Sequence, residues 1–547
     1  MSNFPSQTLE CIFNKYPPPK NPSFSYGTAG FRMNASKLDS VMFSVACIAI
    51  VRSLSCLNDS NEPQTIGIMI TASHNPPEDN GVKIVDPFGD MLPQNWEPLA
   101  TQLSNCSSYK DFESIIKPLW IKYSSNTLNK PASLVIARDT RESGPKLLNI
   151  CIDLFDSLTN KYITYKNFNE LTTPELHYIT RSFNDSSFGI PTELGYYNKL
   201  SNSLLEILKL NNININSLIN TTVDAANGVG ADKLISFLKT SPSLKSKFQL
   251  VNSNTNDPLA LNVKCGADFV KTNQKLPNGI DSKIASNENT LCASFDGDAD
   301  RLVCYFFDKL NNKFILLDGD KIAILLSRLI SFLISKLPSN NLKIGIIQTA
   351  YANGASTNYI INDLKLPSIC AKTGVKHLHH EALKFDIGIY FEANGHGTVL
   401  FSDKFSIELK KFENDYSSAK TLLLLKDLIN QTVGDALSDL LAVIVSLSIL
   451  NIDANEWSNT YHDLPNKLAK VVVKDRNMFV TTDAERKLVE PPIQKFIDEL
   501  VVNTTFGRSF VRPSGTEDAV RVYAEAATAE ECQKLSDEVV KLVENYS

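Results

Sequence analysis

Short apolar runs recur along this chain, and most of them end abruptly in a loop rich in Gly, Asp, Asn or Ser. Runs at 66–70, 134–137, 222–224, 291–295, 302–307, 344–348 and 387–391 have the length and side-chain character of strands. Helix-length amphipathic segments separate many of them. Alternation of this kind commits a chain to α/β architecture, with sheets layered between helices. At 547 residues the chain also exceeds what one hydrophobic core serves, so several such units are expected. In open α/β sheets, ligands bind beyond the carboxyl ends of strands, and the loops after these runs are therefore where chemistry should lie.

Composition matters mainly for what it excludes. Net charge is −6, which provides no broad basic field for nucleic acid. The apolar segments at 322–337 and 440–450 are too short or too interrupted to span a bilayer and read as buried helices. The N-terminus lacks a charged segment followed by an apolar one, so no secretion signal and no membrane partner are expected. Ten cysteines without a CxxC pair, several inside apolar runs (Cys47, Cys292, Cys304), fit reduced thiols and a cytoplasmic location. A monomer is the expectation for assembly. Asn- and Ser-rich stretches at 196–220 and 240–256 read as a boundary region and a surface excursion. From 451 onward the pattern reads as α+β, with strands at 510–511 and 520–525 around a loop. A capping box at Thr528–Glu531 opens the final helix. The predicted domains are 1–190, 191–303, 304–450 and 451–547.

Four loops carry residue types that point to chemistry. The first, 71–83, reads Thr-Ala-Ser-His-Asn-Pro-Pro-Glu-Asp-Asn-Gly-Val-Lys. Ser73 stands where strand 66–70 spills out, with the His74 imidazole beside it and the Lys83 ammonium further on. It is a candidate covalent nucleophile, although these residues alone also suit a plain turn. The second loop is Phe295-Asp-Gly-Asp-Ala-Asp-Arg301, where Asp296, Asp298 and Asp300 crowd three carboxylates into five residues. Such crowding is tolerated best around a cation, and hard oxygen donors with open positions suit Mg²⁺ bridging to a phosphate. Arg301 can balance those carboxylates or contact a phosphoryl group.

The third loop, Phe391-Glu-Ala-Asn-Gly-His-Gly-Thr398, offers an acid, an amide and an imidazole (Glu392, Asn394, His396) around Gly395, a set able to grip sugar hydroxyls. In the fourth, Val511–Arg521, the residues Arg512, Ser514, Thr516 and Arg521 and the Gly515 N–H can converge on one phosphate dianion. The P-loop spacing is missing, so a nucleoside triphosphate is not implied. Two smaller sites complete the set. Residues 26–32 end in Arg32, and 373–380 carry Lys376 with three histidines, of which adjacent His379 and His380 cannot easily face one metal ion.

A nucleophile loop, a metal loop, a sugar loop and a phosphate loop, in that order from Gly27 to Ala526, resemble the α-D-phosphohexomutase superfamily. Residues 296–301, 373–380, 392–397 and 512–526 are similar to the eukaryotic phosphoacetylglucosamine mutase family within it. Asn394 stands where phosphoglucomutases and bacterial phosphomannomutases usually carry serine. The resemblance implies three related α/β domains with mixed sheets, a fourth α+β domain of the TATA-binding-protein kind, and a central active-site cleft. It further implies a phosphoserine at Ser73 and Mg²⁺ held by that group with Asp296, Asp298 and Asp300. Arg32, Arg301 and Lys83 would neutralise charge in transfer, and His74 or Lys83 would serve as base. Glu392, Asn394, Gly395, His396 and Lys376 would bind the sugar, and Arg512, Ser514, Gly515, Thr516 and Arg521 its phosphate. The implied reaction interconverts N-acetylglucosamine 6-phosphate and 1-phosphate, for UDP-N-acetylglucosamine synthesis. Catalytic hexosamine 1,6-bisphosphate would act as activator. A phosphoglucomutase or phosphomannomutase is the alternative activity, and a non-catalytic sugar-phosphate binder the alternative class.

Overall fold

A computed structural model describes residues 4–127, 130–159, 161–287, 289–338, 341–514 and 518–546. Its contacts group the chain into two compact units, one of Met1–Leu316 with Leu424–Val445 and the other of Leu317–Leu423 with Ser446–Ser547.

The first unit holds two five-stranded mixed sheets. One comprises β1 (Phe31–Asn34), β2 (Thr65–Ile70), β3 (Asp79–Val85), β4 (Ala132–Arg138) and β5 (Ile163–Glu170), in the order β1-β3-β2-β4-β5. The other comprises β6 (Asn220–Asp224), β7 (Phe248–Val251), β8 (Thr290–Phe295), β9 (Leu302–Asp308) and β10 (Lys313–Leu317), in the order β10-β9-β8-β6-β7. All six residues of β2 are buried, as a strand covered on both faces must be, and the nearly all-buried helix Asp39–Ser55 packs against it.

The second unit holds a four-stranded sheet of β11 (Ile344–Thr349), β12 (Ser368–Ala371), β13 (Ile387–Phe391) and β14 (Gly397–Phe401), ordered β12-β11-β13-β14. Its other sheets are smaller. β15 (Asn466–Val472), β18 (Arg508–Pro513) and β19 (Ala519–Glu525) form an antiparallel sheet, while β16 (Val480–Thr482) and β17 (Lys487–Glu490) form a hairpin. Helices Gln494–Val502 and Ala529–Glu544 close a separate core over the antiparallel sheet.

One motif repeats in all three mixed sheets. A strand parallel to its inner neighbour turns back into an antiparallel partner: β2 into β3, β8 into β9, β13 into β14. The serine, aspartate and Glu392 loops are the three turns of that motif. Equivalent position in the sheet, not sequence similarity, is what relates them.

The strand expectations at 66–70, 134–137, 222–224, 291–295, 302–307, 344–348 and 387–391 all meet strands, and 322–337 and 440–450 fall in the buried helices Gly319–Ser335 and Ala436–Leu450. One reading is corrected. Residues 79–83 belong to β3 instead of a long loop, because antiparallel pairing with β1 overrides the turn chemistry of Asp79-Asn80-Gly81 and pairing with β2 continues the strand through Lys83. Much of 196–220 is the helix Glu193–Leu210, whose Tyr196, Leu200, Leu204 and Ile207 recur at helical spacing and are buried. Within 240–256 lies the strand β7. Among the described residues no helix is long and apolar enough to cross a membrane, and all ten cysteines are free thiols.

Candidate active site

Ser73 is the second residue beyond the turn's entry at Thr71, fully buried, with φ 51 in the left-handed region. A non-glycine residue held there is strained and must be over-determined by its surroundings. Here the restraints are explicit. The Ser73 N–H donates to Thr71 Oγ1 (3.0 Å), whose hydroxyl donates to Asp139 Oδ2 (2.7 Å). Arg141 lies beneath the loop and donates to the carbonyls of Ser73, Asn75, Pro76 and Asp79 at 2.6–2.9 Å. Its Nε reaches Asp139 Oδ2 at 3.1 Å. Asn262 Nδ2 adds a second donor to the Ser73 carbonyl (2.9 Å). The result aims Ser73 Oγ at Asp296 Oδ2, 2.6 Å away, with His74 Nδ1 at 3.4 Å.

The aspartate loop is held with equal economy. Every carbonyl from Asp296 to Ala299 accepts an N–H: Ala299 to Asp296, Val229 to Gly297, Thr173 to Asp298 and Ala436 to Ala299, at 3.0–3.2 Å. Three of those donors sit at the starts of the helices Gly230–Thr240, Thr173–Asn184 and Ala436–Leu450. Three positive helix ends thus converge on a loop of three carboxylates. Gly297 cannot be replaced without displacing backbone, since a Cβ there would meet the Ser73 carbonyl at 2.5 Å.

One ligand oxygen from each of Asp296, Asp298 and Asp300 falls within 4.8 Å of the others, all buried. Asp298 Oδ1 has no hydrogen-bond partner among the described residues. Burial and the neighbouring Asp300 and Asp298 push the Asp296 carboxyl well above the usual carboxylate range. Three buried carboxyl groups within ligand distance of one another, one with an orphan oxygen, fit a hard divalent cation such as Mg²⁺. Thr173 Oγ1 orients Asp298 by donating to its Oδ2 (2.7 Å).

Cations surround the triplet. Lys83 Nζ on β3 lies 3.6 Å from Asp298 Oδ2 and 3.5 Å from Asp300 Oδ2. Arg301 Nε is 3.9 Å from both Asp296 Oδ2 and Asp300 Oδ1. Arg32 on β1 faces the same acids; burial holds its guanidinium below the usual arginine range, and Asp298 opposes that shift only in part. Burial, then Arg301 and Arg32, push the His74 imidazole down to about 3, leaving it neutral in this site.

The second unit carries the other predicted residues. Glu392 follows the last residue of β13, and the turn closes through Glu392 N–H to the His396 carbonyl (2.9 Å). Gly395 takes φ 88, which a side chain would strain. Asn394 Nδ2 donates to Glu392 Oε2 (3.3 Å), the Gly374 N–H donates to Glu392 Oε1 (3.3 Å), and His396 is buried. Lys376 is the second residue of the neighbouring helix Val375–Ala382; on that helix His379 Nδ1 meets Tyr390 Oη at 3.0 Å.

On the C-terminal sheet, Arg512 of β18 pairs directly with Arg521 of β19, which pairs with Lys470 of β15. Opposed like charges destabilise a sheet, and three in one row suit an anion. Ser514 follows β18, its N–H donating to the Ala519 carbonyl (2.8 Å). Gly515 and Thr516 lie outside the described residues.

Sequence reading missed Asp139, Arg141, Thr173, Asn262 and Lys470. The signal for the first two was present, since strand 134–137 ends in Arg138-Asp139-Thr140-Arg141. The others act through tertiary contact and leave no local mark.

Comparison with known proteins matches the same segments. Residues 187–303 and 318–452 match the profiles of phosphoacetylglucosamine mutase AMG1, domains II and III. Residues 40–106 and 468–542 match phosphoglucomutase/phosphomannomutase α/β/α domain I and C-terminal domain. The phosphoacetylglucosamine mutase of Candida albicans is 50% identical over 98% of this chain and 99% of its own length. The chain belongs to the phosphoacetylglucosamine mutase family.

Within that family, a crystal structure of N-acetylglucosamine-phosphate mutase in its substrate complex has 50% identity and a TM-score of 0.91, covering 98% of this chain and 99% of that one. The Aspergillus fumigatus N-acetylphosphoglucosamine mutase, 42% identical, has been solved with GlcNAc-6P and magnesium (TM-score 0.89, covering 99% of each chain). A serine-to-alanine variant of it has been solved with glucose 1,6-bisphosphate (TM-score 0.87, covering 100% of this chain and 99% of that one). Like its family, the chain is a mutase enzyme of four phosphohexomutase-type domains.

Proposed function

We propose that the chain interconverts N-acetylglucosamine 6-phosphate and N-acetylglucosamine 1-phosphate through a phosphoserine at Ser73 and a 1,6-bisphosphate intermediate. The observation that carries this is Ser73 Oγ held 2.6 Å from Asp296 beside a buried carboxylate triplet. Asp296, Asp298 and Asp300 would hold Mg²⁺, which supplies charge neutralisation at the phosphoryl oxygens when bound.

In transfer the free O1 or O6 hydroxyl of the sugar phosphate attacks the phosphoryl group, and its bond to Ser73 Oγ breaks. The hydroxyl proton goes to a base. His74, with Nδ1 3.4 Å from Ser73 Oγ, and Lys83, held between two carboxylates, are the two groups at the site that can serve as that base. Arg32, Arg301 and Lys83 neutralise the equatorial oxygens, where positioning and electrostatics dominate. Glu392 and Asn394, with Gly395, His396 and Lys376 beside them, take the ring hydroxyls and 2-acetamido group. Arg512, Ser514 and Arg521, with Gly515 and Thr516, take the phosphate that is not reacting. After the bisphosphate turns around, Ser73 Oγ takes the other phosphoryl group and the cycle closes. Catalytic hexosamine 1,6-bisphosphate reloads any Ser73 that has lost its phosphoryl group.

Ser73→Ala is expected to abolish turnover and to remove the phosphopeptide seen by mass spectrometry; turnover that survives would exclude the covalent route. Comparing kcat/KM on N-acetylglucosamine 6-phosphate and glucose 6-phosphate separates this specificity from a phosphoglucomutase's.

A further inference from the structure

A carboxylate that no loop motif includes connects the sugar loop to the phosphate loop. Glu485 stands at the tip of the β16–β17 hairpin, where Asp483, Ala484 and Glu485 take φ 52, 53 and 71 in succession. Three consecutive non-glycine residues in the left-handed region make a strained path that the surrounding contacts must hold. Arg486 braces the tip by donating from Nη2 to Asp483 Oδ1 (2.6 Å) and from Nε to the Asp483 carbonyl (3.2 Å). The strained turn carries the Glu485 side chain inward, to 15% exposure.

There its Oε2 does two things. It lies 2.9 Å from Arg512 Nε and accepts the Thr373 N–H at 3.0 Å. The adjacent amide, Gly374 N–H, donates to Glu392 Oε1. Two successive peptide N–H groups are thus taken by two acids, one from the sugar loop and one from the hairpin. A continuous path runs from Asn394 through Glu392, residues 373–374 and Glu485 to Arg512. Glu485 meets the guanidinium at Nε and the Tyr351 side chain hydrogen-bonds the same group, so Arg512 is held from two sides and its planar fork is oriented before a phosphate arrives. Burial pushes the Glu485 carboxyl up, but the Thr373 N–H and Arg512 outweigh it and hold it below the ordinary glutamate range, so it is an anion at neutral pH.

We propose that Glu485 is a positioning residue that sets the register between the sugar-binding turn and the phosphate-gripping Arg512. The inference rests on the reading of Arg512 as a phosphate grip. It makes the hairpin tip a ruler for the distance between the ring hydroxyls and the phosphate that is not reacting.

The test is steady-state kinetics of the full-length, Ser73-phosphorylated enzyme with Mg²⁺. Glu485→Ala should raise KM for N-acetylglucosamine 6-phosphate about tenfold while kcat moves by less than about twofold. Glu485→Gln, isosteric and still an acceptor for Thr373, should give a smaller rise and guards against misfolding of the alanine variant. In a double-mutant cycle, Glu485→Ala should add nothing to Arg512→Ala. An unchanged KM in Glu485→Ala, or a lowered one from loss of a carboxylate that competes with the phosphate, would mean that Glu485 does not position Arg512, and additive effects would mean that it acts apart from Arg512. Either overturns the inference while leaving the phosphate grip intact. If Arg512→Ala leaves KM unchanged, the reading of that grip fails and the inference with it.

Discussion

Arg141 commits all of its side-chain donors to the serine loop and its buttress. Four carbonyls and Asp139 depend on it, and the side chain is fully buried. Removing the guanidinium takes one donor from each of the four carbonyls and strips the buried Asp139 of its counter-charge, a class of change that costs about 3–5 kcal/mol. Arg141→Leu is therefore expected to lower unfolding free energy by that amount in urea titration and to disable turnover. Lysine, with three donors and no planar fork, cannot restore the set. A loss below about 1 kcal/mol would show that the loop holds its shape without Arg141. At this scale the reacting serine was legible from sequence, because a hydroxyl after a buried strand is a local pattern. Its scaffold was only half legible, since Arg141 needs a folded sheet to reach residue 73.

Helix ends matter more than helix bodies around the metal loop. The helix Thr173–Asn184 opens with a capping box, Thr172 to Glu175, and its first residue contacts Asp298 by both main chain and hydroxyl. Glu175 is itself fully buried, accepts the Tyr197 hydroxyl at 2.7 Å, and neighbours Glu193 and Lys233. Burial pushes its carboxyl from 4.5 up to about 7; Lys233 opposes the shift and Glu193 adds to it. The folded state therefore holds this proton more tightly than the unfolded chain does. Its stabilising contribution is whole below the unfolded value of 4.5 and is lost as pH rises through about 7. Integrated over that interval, it amounts to roughly 3 kcal/mol. Glu175→Gln should flatten the fall of Tm across this range, and parallel Tm–pH curves for the two proteins would refute the assignment. Elements with an unbroken apolar run, such as β2, β8 and β13, were readable in advance. Polar or short elements such as β3 and β7 were not, because their strand state comes from a neighbour's hydrogen bonds.

The molecule divides its task between two units with separate cores. Ser73, the aspartate triplet, Lys83, Arg32 and Arg301 belong to the first, while Glu392, Asn394, Arg512 and Arg521 belong to the second. Each ligand should therefore mark its own unit. Mg²⁺ at a hundred times its Kd is expected to add about 2.7 kcal/mol to the state that binds it. Hydrogen exchange should show that protection around residues 71–83 and 296–301 and not around 512–521, with the effect absent in Asp298→Asn. Inorganic phosphate should do the reverse. Mg²⁺-dependent protection confined to the second unit would contradict the metal reading.

What this sequence determined by itself was the set of parts: buried strands that end in a hydroxyl, three acids, an acid–amide pair and an arginine loop. These are patterns of a few adjacent residues, and the physics that selects them is equally local. Tertiary structure alone decided which parts meet and what orients them. Arg141 under Ser73, three helix ends on the metal loop, and Glu485 between Thr373 and Arg512 join residues separated by tens to hundreds of positions. No local propensity encodes such contacts, because each forms only after chain folding has brought the two partners together and excluded water from between them.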